Sequence, residues 1–300
     1  MNTLPFKKIL TVAAIATAAL VSPASHASAI INNAIISGLN NIQDTDADRI
    51  LRFNATTNTW NQVTSGNFQN GDVFQALLRF DVANSNPIRD AVGVSNYNLW
   101  AYSELSIHID STVGGINNIH FTAANVLNGP GSTSLIDLYE LNDKVNYLGN
   151  NSLSVNGTTT TYNPDTGIAA VRAGTKIADF GLVQATDFWT AQIPVSIASL
   201  GSALPGSGIF PSGVFGLSLI NNPGNVQISH NGIVSPIDGN LHDIVGGAST
   251  KARETNTNSG WNVSTDTTVF FNKVPEPDSL ALLGLGAILL SASAKRRQNV

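Results

Sequence analysis

Asp44-Thr45-Asp46-Ala47-Asp48 sets three carboxylates at alternate positions, the spacing that opens an EF-hand-type or dockerin-type calcium loop. There a turn brings alternate carboxylates onto one hard cation. The remainder departs from that pattern. The sixth position is Arg49 where glycine is required, and the twelfth is Ala55 where a bidentate glutamate belongs. What survives is a looser calcium-stabilised loop on Asp44, Asp46 and Asp48, with Asp72 able to complete the shell, beside the plainer reading of a solvated acidic loop. No cofactor beyond that calcium is expected.

His108 and His120 form a second constellation. If the strands that carry them pair in the register derived below, the two imidazoles sit opposite each other with Asp110 on the diagonal. Cross-strand Cβ atoms are about 5 Å apart, and imidazole pairs beside a carboxylate suit zinc or copper. The plainer reading is two polar residues on a wet sheet face. His230 and His242 fall in Gly/Asn-rich stretches and read as surface polar groups. Among the four tryptophans (60, 100, 189 and 261), Trp189 follows Phe188, so one of the two must point outward if the stretch is a strand. Trp189 is therefore the aromatic best placed to face a ligand, such as a sugar ring. Trp100 begins an alternating strand and belongs in a core. The chain has no Gly-x-Ser-x-Gly elbow, no His-Glu-x-x-His and no phosphate loop. No catalytic residues are assigned, and an enzyme is not expected.

The elements that must position these groups read as strands. Short runs rich in Val, Ile, Phe and Thr, cut by Gly, Asn and Pro, recur about every ten residues through the body. No stretch of the body sustains a 3.6-residue period; Leu77-Leu78 and Ser196–Leu200 could hold a helical turn at most. Asn156-Gly157 centres a hairpin that pairs Val155 with Thr158 and Leu153 with Thr160. In a second hairpin, Leu99, Ala101, Leu105, Ile107 and Ile109 alternate with polar residues and face the core. Ile119 and Phe121 must join that face, which pairs Ile109 with Ile119 and Ile107 with Phe121. A two-residue Gly114-Gly115 turn would set Ile119 against Asp110, so a three-residue loop, Val113-Gly114-Gly115, is preferred. The expectation is an all-β protein: one β-sandwich or jelly-roll-like domain.

Bulk composition agrees. Of 300 residues 42% are hydrophobic and 12% charged, enough for a full core. The body from Ile30 to Val274 carries 10 Lys/Arg against 18 Asp/Glu, an acidic balance that argues against nucleic acid as a partner. There are no cysteines, which excludes disulfides, thiolate metal sites and cysteine nucleophiles.

The two ends do not belong to this domain. Residues 1–29 have a secretory signal peptide's parts: Lys7-Lys8, an apolar run from Ile9 to Val21, and Ala27-Ser28-Ala29 as the small-x-small cleavage site, with Ile30 the mature start. Residues 274–300 read Val274-Pro275-Glu276-Pro277, an uncharged run from Ser279 to Ala294, then Lys295-Arg296-Arg297. A helix of about 16 residues rises about 24 Å, short of the roughly 30 Å hydrocarbon core. The basic residues can snorkel to the headgroups and hold the C-terminus on the cytoplasmic side.

Pro275, Glu276 and Pro277, the Leu280–Leu290 span and the basic tail Lys295, Arg296 and Arg297 together resemble the PEP-CTERM sorting signal of Gram-negative bacteria. The resemblance covers about a tenth of the chain. Trp261–Asn272 also looks like the closing strand that precedes this signal in other sorted proteins. What the resemblance implies is export by Sec-type machinery, transient anchoring in the inner membrane, cleavage near the motif by an exosortase, and release to the cell surface or extracellular matrix. It further implies association with exopolysaccharide and biofilm. The domain plan is thus 1–29 signal peptide, 30–273 all-β body, and 274–300 sorting signal (motif 274–277, transmembrane helix 279–294, basic tail 295–297). A calcium-stabilised carbohydrate-binding module and a secreted hydrolase are the alternatives.

Overall fold

The computed structural model describes residues 38–87, 99–141, 145–147, 152–155, 158–161, 164–252 and 264–273. The signal-peptide segment and the 274–300 segment lie outside them, as does Trp261. The element order is β1 (Gly38–Asn54), β2 (Thr59–Gln62), β3 (Val73–Ala83), β4 (Asn86–Pro87), β5 (Leu99–Val113), β6 (Ile116–Ala123), β7 (Ser134–Glu140), β8 (Val145–Tyr147), β9 (Ser152–Val155), β10 (Thr158–Thr161), α1 (Pro164–Arg172), β11 (Thr175–Gly181), β12 (Phe188–Pro194), a 3-10 turn (Ile197–Ser199), β13 (Ser212–Asn221), β14 (Ile233–Val234), β15 (Leu241–His242), β16 (Ile244–Ala252) and β17 (Ser264–Lys273).

The all-β expectation holds, but the strands do not divide into two facing sheets. Pairing runs from β3 through β5, β6, β12, β13, β16, β17 and β1 and returns to β3, antiparallel throughout. The sheet is therefore one continuous ring. Alternation alone cannot separate a sandwich from a ring, because in both one face of each strand is buried. Closure pairs each of the eight strands on both sides over at least part of its length, which leaves little free edge. Eight strands enclose a space that side chains can just fill. Ile50, Leu78, Leu105, Ile107, Ile119, Phe215, Leu217, Val269 and Phe271 fill it here, all buried in one cluster. β7 and β11 bridge β5 to β13 a second time, toward the end where β17 finishes.

Both hairpins show the expected pairings. Val155 faces Thr158 and Leu153 faces Thr160 across β9–β10. Across β5–β6, Ile109 faces Ile119 and Ile107 faces Phe121, but by a different route from the one expected. The turn is the two-residue Gly114-Gly115, both at positive φ (+59° and +82°), with Val113 opposite Ile116. A bulge at Asp110 then absorbs one residue and restores the apolar register.

The expectation of no helix beyond a turn fails at α1. Pro164 supplies a preset φ at the first helical position, while Asp165 and Arg172 complement the dipole at the two ends. Ile168 and Val171 bury against Leu77, Trp100, Tyr102 and Tyr139 on the outside of the ring. This second small core explains why Leu99–Leu105 is buried on both faces. Trp100 is a core residue as expected, though of this outer core.

Candidate functional site

The C-terminal address is positioned by β17. This strand lies between β16 and β1 and keeps its register to the last residue, with Lys273 opposite Gly38 and Phe271 opposite Ile244. Val269 and Phe271 are buried in the barrel. Three further contacts fasten the strand's end. Ile228 bridges Lys273, the Ser229 amide donates to the Asn272 carbonyl at 2.7 Å, and Asn272 Nδ2 donates to the Gly232 carbonyl. Two residues beyond Lys273 comes Pro275, which has no amide hydrogen to give to a ladder.

At this junction the comparison with known families is decisive. Residues 273–297 match the PEP-CTERM protein-sorting motif. The PEP-CTERM motif thus begins on the residue where the barrel's last strand ends. It implies an exosortase as the processing partner, and with it export and a transient stay at the membrane. No curated protein matches the chain, and no solved structure does. Pro275, Glu276, Pro277, Lys295, Arg296 and Arg297 fall within the matched range but outside the described residues; Ala27 and Ala29 lie outside both. Among the described residues no helix is long and apolar enough to cross a membrane; the 279–294 segment is not one of them.

The other sequence candidates are rearranged. Asp44, Asp46 and Asp48 stand in the middle of β1, paired with β3, and not in a turn. Alternate positions of an extended strand are about 6.6 Å apart, so the backbone does not wrap them round one ion as a calcium loop does. Asp48 is buried and accepts from Thr265 Oγ1 at 2.8 Å. Asp72 is engaged by Arg52 through Nε and an Nη, both at 2.6 Å, and by the Gln69 amide at 2.9 Å. That hydrogen bonding, against a smaller opposing effect of burial, raises the Arg52 pKa.

Trp189 does not face outward. It is 7% exposed and packs inside the barrel against Phe121 (5.8 Å) and Phe215 (4.7 Å). Of the adjacent pair it is the half-buried Phe188 that lies on the outer face, edge-on to His242 at 5.6 Å. The larger ring takes the interior because the barrel has volume to fill there. His108 and His120 do face each other, as the register requires. Their rings stack at 5.0 Å and 10°, His120 Nδ1 is 2.7 Å from Asp110, and His108 Nε2 is 2.9 Å from Thr122 Oγ1. Stacked faces set the ring nitrogens side by side, with one nitrogen of each already engaged. Among the described residues searched, no group of three or more His, Cys, Asp or Glu side chains could hold a metal ion.

Two polar clusters escaped the sequence reading. His242 is buried, not a surface group: Nδ1 is 3.1 Å from Asp187, Nε2 is 3.3 Å from Asp238, and Ser218 Oγ donates to Asp187 at 3.0 Å. The ring lies against Gly216, where an added Cβ would come within 2.7 Å of it. Next to it Asp243, fully buried, accepts from the Leu219 amide (2.7 Å), the Asn231 amide and His230 Nδ1 (2.9 Å). The second cluster surrounds Glu104, also fully buried. Its carboxylate accepts from the Tyr102 hydroxyl, from Gln75 Nε2 at 3.2 Å and from the Val126 amide at 2.5 Å. Burial, and then the Glu104 charge, hold the Tyr102 hydroxyl far above its ordinary pKa. Both clusters are closed by protein partners and fasten loops to the barrel wall. A polar residue at an inward or covered strand position, such as Glu104 between Ser103 and Leu105, was the one available signal.

Proposed function

We propose that this protein is an exported surface or matrix protein of a Gram-negative cell, held briefly at the inner membrane by its C-terminal segment and released when an exosortase cuts near Pro275–Pro277. The coincidence of the motif's first residue with the barrel's last paired residue carries this reading. A cut beyond Lys273 leaves every rung and every core side chain among the described residues in place. Sec-type export through residues 1–29 fits the same route, and the absence of cysteine means that the body needs no disulfide chemistry outside the cell.

Outside the cell the body acts by structure or binding and not by catalysis, in the company of exopolysaccharide. The barrel's closed ring suits that setting, since a sheet with little free edge resists strand-to-strand aggregation at high local concentration. A sugar-binding reading built on Trp189 and a calcium loop loses both supports to the burial of Trp189 and the strand at Asp44–Asp48.

Intact-mass measurement of the protein recovered from outside the cell tests the route. The expected product begins near Ile30 and ends near Pro275. A product that retains Leu280–Leu290 overturns exosortase release.

A further inference from the structure

The barrel end opposite Lys273 encloses a cavity of about 70 Å³. Phe74, Leu105, Phe121 and Trp189 form its apolar walls, and Ser212 and Ser249, both exposed, stand at its rim. Among the described residues that line it none is charged. Thr250 also lines the cavity. It is 7% exposed, and its Oγ1 is buried without a hydrogen-bond partner. A buried hydroxyl left unpaired is destabilising, an arrangement that native proteins seldom keep without a partner to fill it. Rotation about χ1 between staggered wells exchanges the Thr250 hydroxyl and methyl toward the cavity.

We infer that this cavity is a binding site for a small uncharged molecule with an apolar body and one hydroxyl- or carbonyl-type group, which Thr250 holds by a hydrogen bond. The volume sets the size: at about 30 Å³ per water in the liquid, it takes a body of roughly two to four heavy atoms. The walls set the polarity of that body. Neutrality follows from the surroundings, because among the described residues no basic side chain lines the cavity and the Thr265 hydroxyl on its wall is already given to buried Asp48 at 2.8 Å. An anion would enter beside that carboxylate without a counter-charge. Water is a poor occupant, since it needs two to four polar partners and the walls are almost wholly apolar. The cavity lies at the far end of β17 from the residue where the sorting motif begins. Nothing in this inference depends on the proposed release by exosortase.

The test uses the protein recovered from its producing cells without detergent, with propan-1-ol as the probe, propionate as its charged counterpart and hexan-1-ol as the oversized one. Binding is followed by ligand-observed NMR. Propan-1-ol should bind more tightly than either control. Thr250→Val, which removes the hydroxyl and keeps the shape, should weaken propan-1-ol about five- to tenfold, the size of one hydrogen bond. Ala248→Leu, which fills the cavity from β16, should abolish binding, with the circular dichroism spectrum unchanged in both variants. Equal binding of propan-1-ol and propionate overturns the inference, as does unchanged affinity in Thr250→Val. So does tighter binding of hexan-1-ol, or a high-resolution crystal structure soaked with propan-1-ol in which ordered waters still fill the cavity.

Discussion

At the end of the barrel where β17 finishes, Val226 and Ile228 enter the core, and the chain that follows is tied to Asn272 and Lys273. The cavity left among Ile42, Phe80 and Phe271 there is about 20 Å³. At the opposite end the covering segment is Val195–Pro211, whose Ile197 and Leu200 are buried while Ile209 and Phe210 stay exposed at 63% and 41%. There the cavity is about 70 Å³. One end is plugged by Val226 and Ile228 and clamped by buried Asp243; the other, although buried Asp72 fastens Arg52 and Gln69 there, is only partly stoppered. The plugged end carries the sorting motif. Pulling or cutting at the tail therefore acts on a strand terminus that is paired and tied down, and the looser end is left free to admit a molecule.

The largest expected effect lies at the plugged end. Phe271→Ala should cost about 3–5 kcal/mol, the range for deleting a buried aromatic. Phe121→Ala should cost about 1 kcal/mol less, because Phe121 faces the larger void, about 70 Å³ against about 20 Å³ beside Phe271, and gives up fewer contacts. Chemical denaturation of both variants measures this directly. Equal losses would mean that the two ends are packed alike.

Asp243→Ala tests the clamp itself. It strands two backbone amides and His230 Nδ1 beneath the β14–β15 hairpin, at an expected cost of about 2–3 kcal/mol. Hydrogen exchange should rise at Leu219 and Asn231 before the rest of the barrel. At the open end the corresponding change has the opposite sign. Thr250→Val removes an unpaired buried hydroxyl and should stabilise the empty protein by about 1 kcal/mol, read as a shift in the denaturation midpoint.

The same contrast divides what the sequence could tell from what it could not. Strands with clean alternation are legible: the apolar side of Leu99–Ile109 is enough to derive the pairing of Ile109 with Ile119, and with it the facing of His108 and His120. The bulge at Asp110 was not legible, since a three-residue loop and a two-residue turn plus a bulge leave the same apolar register. β16 is not legible, because Gly246-Gly247 reads as a breaker. In the structure the Phe215 ring lies over Gly246, so closely that an added Cβ would sit 2.3 Å from it. That glycine makes room inside a strand and does not end one. His242 was misplaced for a similar reason, because a Gly/Asn-rich neighbourhood signals a loop without saying whether the loop is folded against the wall. The sorting motif, by contrast, is read from linear order alone, and no packing is needed to see it.

The smallest effect concerns acid. Asp238, at the outer margin of the clamp, is pushed up by desolvation, but hydrogen bonds from the Asn240 and Ser235 side chains, the Asn240 amide and His242 outweigh this and bring its pKa down to about 2. Because the folded value lies below the ordinary 3.8, the unfolded chain binds the proton more readily. The stabilisation from Asp238 is therefore complete above about pH 4 and is lost as the pH falls through about 2. Asp238→Asn cannot take part in that titration. Urea midpoints at pH 4.5, 3 and 2 should fall less steeply in the variant than in the parent, and by a small margin, since the group is largely solvated. Parallel slopes would show that the hairpin margin adds nothing to the clamp. The security of the plugged end would then rest on buried Asp243 and on the apolar plug of Val226 and Ile228.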